Sequence, residues 1–246
     1  ELPFQPVESG DRYTVIQNPN DCADMMEMER QRFFAELPNL PGSGYSTYFV
    51  KPLGEKKRTL TRTIDGKANG MENEFLSVVI QPNASLEVTE KAGGRSWTDL
   101  GYFRDCSESG NRWEHVGVPF DEVVTTLGET ARVARVLAGD LVTTYRVELD
   151  WELPRGRSAD EKRRSSDRVP YKIVNLVTLR KGQPWVEIET TIENNAEDHY
   201  LQVSFPTGVK ADTTLASTPF DVVEREIKLP DPGKYDEDLQ TEHPMD

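Results

Sequence analysis

Between Trp97 and His115 the chain gathers Trp97, Tyr102, Phe103, Trp113 and His115 beside Asp99, Asp105 and Glu114. That mixture suits a sugar. Aromatic faces cover the apolar C–H patches of a pyranose, while carboxylates and imidazole exchange hydrogen bonds with its hydroxyls. Tyr102, Trp113 and His115 are the candidate substrate contacts. A competing reading makes Trp97 and Phe103 core residues under a long loop, with the charges solvated; it is the stronger reading throughout, by a wide margin for Trp97 and Phe103 and a narrow one for Trp113 and His115. Asp105 and Glu114 could be mistaken for an acid–base pair. Carboxylates spaced along one loop have no fixed mutual geometry, so no catalytic residue is assigned.

Other chemistry is sparse. Cys22 and Cys106 are the only cysteines, and two distant cysteines specify neither a disulfide framework nor a metal knuckle. They read as plain thiols. His115, His199 and His243 lack ligand spacing, so no metal site is expected from this chain alone. Asn83-Ala-Ser is a formal glycosylation sequon in a turn.

The elements that must position these residues are strands. Leu76, Val78 and Ile80 alternate with Ser77 and Val79. Leu141, Thr143, Tyr145, Val147 and Leu149 alternate with Val142, Thr144, Arg146 and Glu148. Residues 173–179 are apolar on both faces, as in a central strand. Val186, Ile188, Thr190 and Ile192 form another run, and so do His199, Leu201, Val203 and Phe205, against Tyr200, Gln202 and Ser204. Turn clusters at Gln81-Pro-Asn, Lys91-Ala-Gly-Gly, Lys181-Gly-Gln-Pro and Glu193-Asn-Asn separate them. Many strands with short turns predict an all-β chain of antiparallel sheets packed face to face. Trp151 and Trp185 fall in strand patterns and are expected in the core.

Residues 1–69 read as a small β unit with a polar linker, 70–230 as a large β-sandwich, and 231–246 as an acidic tail at a cut in a longer chain. Residues 20–32 carry a helix signal, with Asn20 or Asp21 as cap and Met25 and Met26 inward, but Arg32–Glu36 reads as a strand. The basic run 155–168 is either an arm for an anionic partner or a solvated hairpin loop, and its low apolar content favours the loop.

Lys and Arg number 29 against 43 Asp and Glu, a formal charge of −14. That balance argues against a nucleic-acid partner. No apolar run approaches the roughly 20 residues that span a bilayer, so no membrane partner is expected.

Four stretches, in order, resemble one family. They are residues 34–50, running through Pro-Gly-Ser-Gly-Tyr; Glu72-Asn-Glu-Phe-Leu-Ser-Val-Val-Ile-Gln-Pro-Asn; Leu100-Gly-Tyr-Phe-Arg-Asp through Asn111-Arg-Trp-Glu-His; and His199 to Ile227, containing Phe-Pro-Thr-Gly, Lys-Ala-Asp-Thr and Pro-Phe-Asp-Val-Val-Glu-Arg. Together they resemble the C-terminal β-sandwich portion of family-38 glycoside hydrolases, the α-mannosidase family. Two departures stand out: extra residues around Pro41–Ser43, and Asn111-Arg112 where an acidic residue is common.

The resemblance implies a supersandwich of the galactose-mutarotase type and a piece of a retaining α-mannosidase. In that mechanism one carboxylate attacks the anomeric carbon and a second, close by, protonates the leaving oxygen. The resemblance places the nucleophile and a zinc ion on an N-terminal domain that this chain lacks. It therefore implies no cofactor in this chain and a fragment that is inactive alone. The implied partners are the catalytic domain and an α-mannoside or related glycan. Self-association through an apolar surface near Trp113 and Gly44-Tyr45 is a further expectation. The alternative is a non-catalytic carbohydrate-binding or structural β-sandwich module.

Overall fold

The alternating patterns become fifteen strands among the described residues of the computed structural model, which are 2–17, 22, 24–51, 69–110 and 115–228. In chain order they are β1 (Phe4–Ile16), β2 (Asp24–Ala35), β3 (Gly70–Glu72), β4 (Leu76–Ile80), β5 (Leu86–Glu90), β6 (Ser96–Leu100), β7 (Tyr102–Ser107), β8 (Val124–Thr125), β9 (Arg132–Leu137), β10 (Val142–Pro154), β11 (Arg168–Arg180), β12 (Val186–Glu193), β13 (His199–Ser204), β14 (Thr213–Thr218) and β15 (Asp221–Glu226). One 3-10 turn, Thr126–Gly128, follows β8. The chain is all-β, and its strand pairs are antiparallel.

The core forms where the sheet β3-β4-β5-β6 and the sheet β12-β11-β10-β9 bury their inner faces. Val78, Val147, Leu149, Leu153, Ile173 and Val177 are sealed from solvent. Burying each such side chain contributes about 1.5–3 kcal/mol. β11 is the central strand expected, paired on both sides. Its inner row, Val169, Tyr171, Ile173, Asn175, Val177 and Leu179, is buried, and its outer row is half-exposed. Asn175 is satisfied inside the core by the Thr190 hydroxyl at 2.8 Å. The third sheet, β13-β7-β8, leans on the same core through Phe103, Val124 and Leu201.

β1 and β2 make a long hairpin whose base is clamped to β10. Gln5 Nε2 donates to the Val142 carbonyl at 2.8 Å, and Gln5 Oε1 accepts from the amides of Val142 (2.8 Å) and Leu141 (3.0 Å). The side chain thus imitates a strand edge. Gly139 makes room for it: a Cβ there would lie 2.2 Å from Gln5 Cδ. Lys181 reaches Glu36 at 2.7 Å, and Arg180 covers the Phe34 ring.

Four expectations need correction. The helix signal at 20–32 yields to β2, which pairs with β1 from Asp24 onward and leaves Met25 and Met26 exposed. Asn20 and Asp21 lie outside the described residues. Trp151 is core, but Trp185 follows the β11–β12 turn and is 52% exposed. The strand expected to run through Phe205 ends at Ser204, and Phe205 is exposed. The basic run 155–168 is not wholly a solvated loop, because Arg164 is buried. Residues 231–246 lie outside the described residues.

Candidate functional site

β7 carries the middle of the aromatic and acidic cluster, and its partner is β13. The register sets Tyr102 against Ser204, Arg104 against Gln202, and Cys106 against Tyr200. Residues opposite each other in an antiparallel pair point to the same side. Tyr102, Arg104, Tyr200, Gln202 and Ser204 therefore form one outer, half-buried face, with Cys106 buried at its end. Phe103, Asp105 and Ser107 point inward and are buried. From Tyr102 to Cys106 the ledge runs about 13 Å at the usual rise per strand residue.

His115 caps one end of the ledge. Its ring stacks on Tyr200 with centroids 4.7 Å apart. Its Nδ1 lies 2.9 Å from Glu108 Oε2 and its Nε2 lies 3.8 Å from Cys106 Sγ. Burial alone would raise the Glu108 carboxyl. Hydrogen bonds from His115 and from the amides of Gly110 and Val116 outweigh it and hold the group below the ordinary glutamate value. Glu108 thereby ties down both sides of the loop that carries His115.

Behind the ledge lies a buried charge network. Asp105 is fully buried, and Arg164 Nη2 donates to its Oδ1. His199 Nδ1 donates to Oδ2 at 2.6 Å. Arg164 Nη1 also donates to the carbonyl of Glu122 at 3.1 Å. His199 Nε2 lies 3.2 Å from Asn194 Oδ1, and Tyr171 meets the imidazole edge-on. Burial first, and the Asp105 charge second, push the Tyr171 hydroxyl above its ordinary value. With both oxygens engaged and no solvent access, Asp105 is a structural anchor that ties the 155–168 loop to β7 and β13.

The candidate contacts stand as follows. Tyr102 and His115 occupy the same outer face, at opposite ends. Trp113, with Asn111, Arg112 and Glu114, lies outside the described residues. Phe103 is core, while Trp97 is half-buried at the surface, its Nε1 donating to the Thr207 carbonyl at 3.1 Å. Sequence reasoning missed Arg104, Tyr200 and Gln202 as neighbours of Tyr102. The alternation of β13 groups Tyr200, Gln202 and Ser204, but nothing local says that this face lies beside β7.

Among the described residues no three His, Cys, Asp or Glu side chains are placed to hold a metal ion. The donor set among the described residues does not fit zinc. No helix among them is long and apolar enough to cross a membrane.

A family model described as the glycosyl hydrolases family 38 C-terminal domain matches residues 71–245. The chain belongs to this family. A Halalkalibacterium halodurans protein with the provisional name mannosylglycerate hydrolase is 26% identical over 207 residues, covering 77% of this chain and 23% of that protein. Among solved structures, an α-mannosidase from Enterococcus faecalis V583 superposes with a TM-score of 0.67 at 24% identity, over 94% of this chain and 28% of that one. A second family-38 glycosyl hydrolase structure from Enterococcus faecalis gives 0.66 at 24% identity, over 92% and 28%. The chain thus spans about a quarter of the length of these relatives. Its all-β architecture is that of the family-38 structures it matches.

Proposed function

We propose that this chain is the β-sandwich portion of an α-mannoside-cleaving hydrolase, supporting the catalytic domain and lining its sugar site with the β7–β13 ledge. The observation that carries this reading is the shared outer face of Tyr102 and His115, with Tyr200 stacked beneath the imidazole. Flat rings and polar groups at about 13 Å span offer a pyranose both apolar cover and hydrogen bonds. Trp113, two residues before His115, is the third proposed contact. The catalytic carboxylates and zinc belong to the rest of the longer protein. Tyr45 (90% exposed) and Phe49 (83%) provide an apolar surface for that partner or for a second copy. The division at residues 69–70 into a small β unit and a sandwich is part of the same proposal.

The roles of the ledge residues are tested in the full-length protein. Tyr102→Ala and His115→Ala are expected to raise KM for an aryl α-mannoside about tenfold, through lost ring contact and lost hydrogen bonds. Unchanged KM and kcat in both variants, each folded, would remove the ledge from the sugar site.

The half-exposed ledge also fits a second reading, a non-catalytic carbohydrate-binding module. That reading predicts measurable mannoside affinity for this chain alone, weakened by Trp113→Ala. The first predicts little affinity without the catalytic domain.

A further inference from the structure

The sandwich is open along one side. Among the described residues β12 and β13 are end strands of two different sheets, each paired on one side only. Between them lies a cleft of about 330 Å³, lined by Ile188, Thr190 and Ile192 of β12, by Leu201 and Val203 of β13, and by Phe205. A second cleft, of about 750 Å³, continues from Ile188 and Phe205 past Trp185, Trp97 and Phe75. On the neighbouring strand β11 the inner row is buried from Val169 to Leu179. On β12 that burial fails. Only Val186 packs against the core, while Ile188 and Ile192 are each 37% exposed, and Val203 on β13 is 51% exposed. An apolar row beside an unpaired strand edge has two unmet needs: cover for its side chains, and partners for its outward N–H and C=O groups. Another β-strand meets both at once.

We infer that a β-strand of the longer polypeptide, from outside these 246 residues, pairs with the free edge of β12 and closes the cleft, its apolar side chains inward and its basic ones outward. The inference rests on this chain being a portion of a longer hydrolase, as proposed. Three features select this occupant. The relatives are about four times as long as the span this chain matches, so they hold ample chain to supply a strand. The edge from Val186 to Ile192 runs about 20 Å at the usual rise, which seats about seven residues. The outer row of β12 is acidic, reading Glu187, Glu189, Thr191 and Glu193. Glu187 is held by Arg180 at 2.9 Å, and the exposed Glu189 and Glu193 attract Lys or Arg across the edge. The same row disfavours a second copy of this chain. A two-fold β12–β12 pair would set glutamate against glutamate on one face.

The test is made on the full-length protein. A photocrosslinking phenylalanine analogue at position 189 stands on the outer row, within reach of a neighbouring strand and clear of the cleft. The expected product has the mass of a single chain. Its crosslinked peptide, identified by mass spectrometry, comes from outside these 246 residues, with apolar residues alternating against a row that holds Lys or Arg. Hydrogen exchange on the wild type gives a second reading. All the amides of residues 186–193, not only those bonded to β11, should exchange about a hundredfold or more slowly than unstructured ones. Ile192→Glu puts a charge on the inner row and should return the outward amides to the unprotected rate. If that variant does not fold, the crosslink and the wild-type exchange still decide. A crosslink to a second copy, a crosslink within these 246 residues, or none at all overturns the inference. So do outward β12 amides that exchange unprotected in the wild type. A crosslinked, protected protein that cleaves no mannoside would strike the proposed activity and leave this inference standing.

Discussion

Asp105→Asn tests the buried network directly. The Arg164 and Asp105 side chains are 1% and 0% exposed, so the discount applied to surface pairs has no place here. Removing one partner of a buried pair leaves the other charge uncompensated, at a cost of about 3–5 kcal/mol. Asparagine is nearly isosteric, so little cavity cost is added. The same substitution weakens the bond to His199 and loosens the 155–168 loop from β7 and β13. For a chain of this size each kcal/mol moves the midpoint about 2–4 °C, so the thermal shift is about 6–20 °C. Urea unfolding followed by tryptophan fluorescence gives the free-energy loss, with an unchanged m-value as control. The double variant Asp105→Asn/Arg164→Met should recover much of the loss, because an apolar chain leaves no buried charge to solvate. A loss below about 1 kcal/mol for Asp105→Asn would refute the reasoning, as would a double variant no better than the single.

Further outcomes follow from other contacts. Gly139→Ala puts a Cβ into the Gln5 amide and should expel it, costing about 1–3 kcal/mol in unsatisfied buried groups; hydrogen exchange at β1 and β2 should rise, as it should for Gln5→Ala. Trp151→Ala should cost about 3–5 kcal/mol from the core, whereas Trp185→Ser should stay within about 0.5 kcal/mol, both read by urea unfolding. The Glu148 carboxyl, held down to about 2 by hydrogen bonds from Arg132 and then Arg146, adds stability that is fully present above its ordinary value of 4.5. That stability is lost as pH falls through about 2, so the gap between wild type and Glu148→Gln should close on acidification. The isolated chain, incubated with an aryl α-mannoside and zinc, should show no turnover.

Strand identity was the legible part of the fold. Period-two alternation marked β4 and β10, where one face meets the core and the other is turned toward solvent, and it marked β12 and β13, which reach the core only through Val186 and Leu201. Lys181-Gly-Gln-Pro read as a turn cluster from its Gly and Pro, and in the β11–β12 turn Gly182 takes a φ of 75°, which glycine adopts without strain. The tip of β1–β2 was less legible. Its exposed Met25, Met26 and Met28 carry no burial signal, and the Asn20-Asp21 pair imitates a helix cap. The site was legible only as a list of residues. Tyr102 and His115 share a face because β7 pairs with β13 across almost a hundred residues, and no local pattern encodes that pairing. The same limit hid Arg164, which looks like a solvated charge in sequence and is buried only because Asp105 awaits it on another strand.

The most direct test of the central claim is turnover by the full-length protein on an aryl α-D-mannoside, set beside the matching α-glucoside and β-mannoside. The account predicts hydrolysis of the α-mannoside in clear preference to both, lost on chelation and restored by zinc. A folded, metal-loaded protein that cleaves no α-mannoside, or that prefers either of the other two, would contradict it.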